Sequence, residues 1–362
     1  MTERAQRLHA SHWQGVLYLT GGGSPLLSDL LTIPGASNTV LEASVPYAAQ
    51  ALSELLGGTP EQAASATTCR ALSMRAYHRA RDLGAVHAFG MGVSASLSSN
   101  VQKKGRTRAH WAIQTDTKST SFSLYLDNAD PRAEQEQQLN QAIWTTIELS
   151  LLGNGQQRAP SQLNAREYTA AASWLPLLAA APYATCTQQH DARLLLPGSF
   201  NPVHTGHREM LAVAERITGL HGAFEMTLRN ADKPDLDYLT AHERLAALEQ
   251  TPVWLTNLSN FEEKARRFPN AIFVLGTDTL SRIAEPRFYA NDATRMQLAI
   301  SNLAKHGARF LVFGRSQEQN FVELSDLELP AELAALCQAV PSEQFRNDTS
   351  SSSIRARQLR DL

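Results

Sequence analysis

Residues 197–207 read PGSFNPVHTGH, directly behind the apolar run RLLL that begins at Arg193. RLLL has the composition of a buried strand, and the glycine and prolines after it force an abrupt turn. The next stretch, HREMLAVAERITG, carries Met210, Leu211, Ala214 and Ile217 at the spacing of one helical face. The sequence therefore predicts strand, tight loop and helix, with His204 and His207 at the first helical turn, three residues apart and on one side. Unpaired N–H groups and the positive end of the helix dipole favour an anion at such a place. Gly206 lets a ligand approach the backbone closely. A phosphate chain is the guest that suits this arrangement.

Outward from this stretch, strand-like and helix-like segments alternate. AFEMTL, AIFVLG and RFLVFG read as strands, HERLAALEQ as a helix, and a short helix closes the chain. The first half repeats the alternation. GVLYL runs into Gly21, Gly22 and Gly23, followed by the helical SPLLSDLL, the strand TVLEASV and the helix YAAQALSELLG. RALSMRAYHRARDLG and EQEQQLNQAIWTTIELSLLG are helical patterns on either side of the strands AVHAFGM, HWAIQT and SFSLYL. This order predicts α/β architecture with largely parallel sheets in both halves. Composition shifts after Leu152, where GNGQQRAPSQ is rich in turn formers. The expected domains are residues 1–157 and 192–362, with 158–191 as an alanine-rich connector interrupted by Pro176.

Thirty-three Lys and Arg oppose thirty-five Asp and Glu, a net charge of −2, so no global basic field draws in nucleic acid or an acidic membrane. An anionic ligand must be held locally. Cys69, Cys186 and Cys337 are widely spaced without a CxxC companion, which fits a reducing compartment and argues against structural zinc. MTERAQRLHASHWQG lacks a signal-peptide core, and no run reaches membrane-helix length. A cytoplasmic protein is expected, without nucleic-acid or membrane partners and with a homo-oligomer allowed.

Gly198, Phe200, Pro202, His204, Gly206 and His207 form GxFxPxHxGH, and the C-terminal half thereby resembles the HxGH superfamily of nucleotidylyltransferases. VLGTDTL at 274–280 is similar to that family's G-x-D element. TSSSSIR at 349–355 resembles its second signature, ISSTxIR, with Thr349 in place of the apolar first residue, and FLVFGR places Arg315 just past a strand, as the family does. The resemblance implies a Rossmann-like domain with a mainly parallel sheet, in which an acceptor attacks the α-phosphate of a nucleoside triphosphate in line and pyrophosphate leaves. It implies catalytic roles for His204, His207 and Arg355, and nucleotide contacts from Gly198, Ser199, Phe200, Gly206, Gly276, Asp278, Arg315, Ser350 and Ser351. Magnesium enters with ATP as the implied cofactor, no metal site being expected on the protein itself. FEMTLRNADKP at 224–234 and Trp254 are similar to the nicotinamide mononucleotide adenylyltransferase branch, which makes Asn201, Lys233 and Trp254 the expected acceptor contacts. The implied partners are then ATP and a pyridine mononucleotide. Another acceptor or CTP is the alternative, and a non-catalytic nucleotide-binding protein is a third.

Residues 16–52 and HAFGMGVSASL resemble the CinA C-terminal family, whose active members hydrolyse the amide of nicotinamide mononucleotide. Aligned on PGAS, Thr20 falls at that family's serine, Tyr47 at its tyrosine and Leu52 at its lysine. Leucine carries no proton, so the threonine hydroxyl lacks its activator. The expected domain keeps the fold and a vestigial site at Thr20, Ser24 and Tyr47, without amidase activity. Gly21 to Ser24 serve either as a ligand loop or only as a tight turn.

Overall fold

The computed structural model describes residues 2–100, 105–153, 160–229, 234–248, 250–317 and 320–360. Chain contacts divide the protein into two units, Met1–Leu175 with Asp232–Ala241, and Pro176–Ala231 with His242–Leu362.

The first unit runs α1 (Thr2–His9), β1 (Gln14–Thr20), α2 (Ser24–Leu31), β2 (Val40–Ser44), α3 (Ala49–Leu56), α4 (Ala66–Asp82), β3 (Ala88–Ser96), β4 (Arg108–Thr115), β5 (Lys118–Tyr125), α5 (Arg132–Ile147) and β6 (Asn164–Thr169). Its strands form one sheet in the order β2-β1-β3-β4-β5-β6. β1 lies parallel to β2 and β3, but every neighbour from β3 to β6 is antiparallel. The expectation of a largely parallel sheet is corrected for this half. Only Asp116 and Thr117 separate β4 from β5, far too few residues for a crossover, so the chain returns as a hairpin.

One face of this sheet is closed by α4, which lies against β3 at Gly90 and Gly92. A β-carbon at Gly90 would come within 2.1 Å of the Ser73 carbonyl oxygen and the Tyr77 nitrogen, so the bare glycine is what admits the helix backbone. The opposite face buries Leu17, Leu19, Met91, Trp111, Ile113, Leu139, Ile143 and Trp144. Both tryptophans find acceptors, Trp111 Nε1 at Thr146 Oγ1 (2.8 Å) and Trp144 Nε1 at Asp29 Oδ2 (2.9 Å), which removes the penalty of burying an indole N–H. The later segment of this unit is bonded to β5 and its hairpin. Tyr238 donates from its backbone to Ser119 Oγ and from its hydroxyl to the Asp116 carbonyl, both at 2.9 Å.

In the second unit the order is β7 (Ala184–Cys186), β8 (Leu194–Pro197), α6 (Thr205–Thr218), β9 (Ala223–Thr227), the part of α7 (Tyr238–Ala246) from His242 onward, β10 (Val253–Thr256), α8 (Phe261–Arg267), β11 (Ile272–Gly276), α9 (Thr277–Ile283), α10 (Ala293–Lys305) and β12 (Arg309–Phe313). The ribbon β13 (Arg315–Gln317) and β14 (Asn320–Val322), then α11 (Ala331–Ala334), β15 (Cys337–Val340) and α12 (Ser351–Arg360), complete it. The main sheet is ordered β15-β12-β11-β8-β9-β10-β7, parallel throughout except for the edge strand β7. From β8 the chain winds to β9 and β10 on one side, then returns to β11, β12 and β15 on the other. The winding reverses beside β8, and in open α/β sheets the crevice at that reversal, outside the carboxyl ends of the strands, takes the ligand.

Residues 158–191, expected as a connector, supply an edge strand to each sheet, β6 to the first and β7 to the second. Among the described residues no helix is long and apolar enough to cross a membrane.

Because a Gly90 β-carbon would collide with helix backbone rather than with a movable side-chain tip, Gly90→Ala is expected to destabilise the first unit by about 3 kcal/mol, the upper range for overpacking. Thermal unfolding followed by circular dichroism reads this as a lowered first transition; an unchanged melting curve would show that α4 does not rest on β3 through this glycine.

Candidate active site

The carboxyl end of β8 hands the chain to a loop that is tightly supported from below. The Gly198 N–H donates to the Glu225 carbonyl (2.9 Å), and Arg244 donates to the Ser199 carbonyl (2.8 Å). Phe200 takes a left-handed φ of 46°, a costly conformation for a side chain of this size. Its ring is buried and meets Phe224 edge-on at 4.8 Å and His207 at 5.2 Å between centroids, so burial and ring packing hold the conformation. Gly198 is needed for the same reason, since a β-carbon there would lie 2.7 Å from the Phe200 ring. The Asn201–Pro202 peptide is cis.

The helix predicted from HREMLAVAERITG is α6, capped by His204 and ended at Gly219, with Met210, Leu211, Val213 and Ala214 buried. The His204 backbone N–H donates to His207 Nδ1 (3.3 Å). That bond fixes the tautomer: with Nδ1 accepting, the neutral ring carries its proton on Nε2, which remains available as a donor. The two imidazoles pack with centroids 3.9 Å apart. Neither ring nitrogen of His204 has a hydrogen-bond partner, although both are buried. Burial pushes the His207 pKa down from 6.5 to about 3, with His204 and Arg315 adding to the effect. His204 is lowered by burial and by Arg315, against an opposing pull from Glu209. Both shifts favour the uncharged form of the rings near pH 7.

Charge comes from the flanking elements. Gly276 ends β11, and a β-carbon there would strike Asp278 Oδ1 at 2.5 Å and Arg315 Cγ at 2.9 Å, so these three residues converge. Arg315 Nε lies 3.6 Å from Asp278 Oδ1, and the guanidinium is close enough to act on both histidines. The second signature docks on the same loop: Ser351 Oγ donates to the Pro202 carbonyl (2.9 Å) and Arg355 to the Asn201 carbonyl. Ser350 accepts the Ser353 N–H at its Oγ (3.1 Å), which caps α12 and leaves its O–H able to donate. The geometry thus gathers Gly198, Ser199, Phe200, Asn201, His204, Gly206, His207, Ser351 and Arg355 around one loop, with Gly276, Asp278 and Arg315 beside it.

Trp254 is not brought there. It sits within β10 with its ring edge-on to Phe268 at 5.0 Å, donates Nε1 to His190 Nδ1 (3.2 Å), and packs on a cluster to which α6 contributes nothing. The half-buried indole thus has a ring contact and an N–H bond within its own unit, away from the paired histidines. Lys233 lies outside the described residues. Sequence reasoning missed Arg244, Glu209 and Asn347. The last precedes the serine run by three residues, and Asn347 Nδ2 donates to Glu209 Oε2 (2.9 Å). An arginine within an ordinary helical pattern and an asparagine in a loop gave no signal beyond their proximity to the motifs.

In the first unit the residues expected as vestigial are dispersed in their environments. Thr20 is buried and donates to the Pro46 carbonyl (3.0 Å), Ser24 is exposed at the start of α2, and Tyr47 is 66 % exposed. Leu52, at the lysine position, is buried. The glycine turn is filled by the unit's own charges. Gly23, at φ 87°, donates its N–H to Glu136 Oε2 (2.8 Å), while Arg132 donates to the Gly21 carbonyl (3.0 Å) and lies 3.4 Å from Glu136.

Residues 195–357 match the family described as cytidylyltransferase-like. No curated protein matches the chain. Among solved structures the chain is similar to the competence/damage inducible protein CihA from Agrobacterium tumefaciens, at 18 % identity over 40 % of this chain and 92 % of that one, with a TM-score of 0.35. It is also similar to a competence-damaged protein (CinA) superfamily protein from Escherichia coli, at 16 % identity over 38 % of this chain and 80 % of that one, with a TM-score of 0.29.

The lowered His207 pKa makes stability depend on pH with a definite sign. Between about 3 and 6.5 the unfolded chain holds a proton that the folded site refuses, so stability is lost progressively as pH falls through that window and is complete above it. Between pH 7 and pH 4 the melting temperature of the wild-type protein is therefore expected to fall further than that of His207→Gln. Parallel declines would place the His207 pKa near its ordinary value.

Proposed function

We propose, from the premise that residues 195–357 are a cytidylyltransferase-like domain and hence a nucleotidylyltransferase, that this protein transfers the adenylyl group of ATP to nicotinamide or nicotinic acid mononucleotide, giving the dinucleotide and pyrophosphate. The observation that carries the transferase reading is the paired His204 and His207 at the start of α6, at the winding reversal of a parallel sheet, with Arg315 acting on both. The acceptor rests on the likeness of FEMTLRNADKP to the nicotinamide mononucleotide branch.

In this reading an acceptor phosphate oxygen attacks the α-phosphorus, and the bond to the bridging oxygen of pyrophosphate breaks in line. Transfer of this kind asks the protein for position and for charge neutralisation rather than for a covalent intermediate. His207 donates Nε2–H to the α-phosphate, whose charge grows as the bond to the leaving group stretches. Backbone N–H groups at the start of α6 add fixed dipoles. Arg315 and Arg355 supply the positive charge for the β and γ phosphates, the latter from the first turns of α12. Magnesium accompanies the triphosphate and shares its charge. Magnesium in such a complex would take its ligands from phosphate oxygens and water.

CTP with a different phosphorylated acceptor is the second reading, favoured by the cytidylyltransferase-like character of residues 195–357. A non-catalytic nucleotide-binding role is less well supported, because His204, His207, Ser351 and Arg355 are all retained around one loop.

Purified protein incubated with magnesium, ATP or CTP, and each mononucleotide is expected to release pyrophosphate with ATP and a pyridine mononucleotide. His207→Ala should lower the rate about a hundredfold or more while the protein stays folded, the usual effect of losing a transition-state donor. Near-normal turnover by that variant would remove His207 from the mechanism, and release of pyrophosphate only from CTP would favour the second reading. For the first unit we infer no amidase activity, since Leu52 carries no base and Thr20 is tied to Pro46. Nicotinamide mononucleotide is expected to yield no ammonia, and clear release would overturn the inference.

A further inference from the structure

We infer that Asn347 and Asp348 form a latch that sets the second signature against the paired histidines, and that Asn347 is a positioning residue for nucleotide binding; the inference rests on the nucleotidylyltransferase reading above. The segment just before the serine run is pinned on two sides. Toward α6, Asn347 Nδ2 donates to Glu209 Oε2 (2.9 Å), and Asn347 Oδ1 accepts the Thr349 N–H (3.0 Å). Toward the ribbon, Ser316 Oγ donates to Asp348 Oδ1, one residue beyond Arg315. Arg346 lies 3.6 Å from Asp348 Oδ2, with its guanidinium over the Phe321 ring at 4.7 Å. A short stretch of loop thus joins the helix that carries His207, the strand that carries Arg315 and the helix that carries Arg355.

Gly206 acquires a second role from this arrangement. A β-carbon at that position would lie 3.1 Å from the Asn347 side chain, so the glycine of HTGH makes room for the latch as well as for a ligand. An asparagine suits the position because one amide supplies both a donor and an acceptor, here to a carboxylate and to a backbone N–H. Glu209 lies on the first turns of the helix whose amino end is proposed to hold a polyphosphate, and the Asn347 amide holds its exposed carboxylate toward the loop.

The test exploits this polarity. Asn347→Asp removes the donor and sets two carboxylates against each other. Combining it with Glu209→Gln restores one donor and one acceptor in reversed order, and leaves an oxygen for Thr349. Binding of magnesium ATP and magnesium CTP to the full chain, measured by titration calorimetry without acceptor, is expected to weaken about tenfold in Asn347→Asp, equivalent to about 1.4 kcal/mol. The double variant should recover to within about threefold of wild type, the coupling expected of residues in direct contact. Melting temperatures should stay within about 2 °C of wild type throughout, since a purely structural role would move melting rather than nucleotide affinity. Should Asn347→Asp melt early, Asn347→Ala takes its place, with a loss of at least threefold expected. Wild-type affinity in either single variant overturns the latch, as does failure of the double variant to recover. If His207→Ala weakens binding while Asn347→Asp does not, only the latch falls. If the wild-type chain binds neither nucleotide, the nucleotidylyltransferase reading falls and the latch with it.

Discussion

The bond from the His204 backbone N–H to His207 Nδ1 is the constraint on which the proposed chemistry depends. It uses the accepting nitrogen of an imidazole to satisfy one of the donors left over at a helix start, and so leaves the proton on the other nitrogen. Burial then keeps the ring neutral, which makes it a dipolar donor rather than a fixed cation. A neutral donor strengthens as charge develops on a phosphate without binding the ground state so tightly that the gain is lost. The cationic work falls to arginines on other elements, and the division of labour follows from where each side chain is buried.

This constraint is local, but its usefulness comes from the sheet. Placing β8 between β9 and β11 puts the start of α6 at the reversal of winding, where the carboxyl ends of β11 and the residue after β12 are its neighbours. Phe200 in a left-handed conformation, Gly198 beneath its ring and Arg244 on the Ser199 carbonyl turn the intervening loop into a rigid support. A site proposed to hold two mutually repelling anions would gain from such rigidity, because the ordering cost is met during folding.

The sequence made the second unit's site legible because its residues are close in the chain and obey a helical spacing. PGSFNPVHTGH encodes a strand end, a turn and a helix start in eleven letters, and each is decided by local rules. The mainly parallel sheet of this unit was equally readable from the alternation of apolar runs with helical patterns. The first sheet departs from the parallel expectation because alternation by itself does not distinguish a crossover from a hairpin, and it is the two-residue spacing of β4 and β5 that decides it. The environment of Trp254 was not legible, because a tryptophan can face either side of its strand and its contacts with Phe268 and His190 come from 14 and 64 residues away. Asn347 and Arg244 act through pairings with residues 138 and 45 positions away, information that no local pattern contains.

The glycine turn of the first unit has its backbone groups engaged by the unit's own charged side chains. With the Glu136 carboxylate seated on the Gly23 amide, any free anion approaching that turn competes against a rival on the same molecule, presented at an effective concentration on the order of millimolar or above. The rival cannot diffuse away, and its charge is already matched by Arg132. A metabolite of ordinary abundance would gain little by displacing it, so the turn's own side chain holds the place that an anion would otherwise compete for.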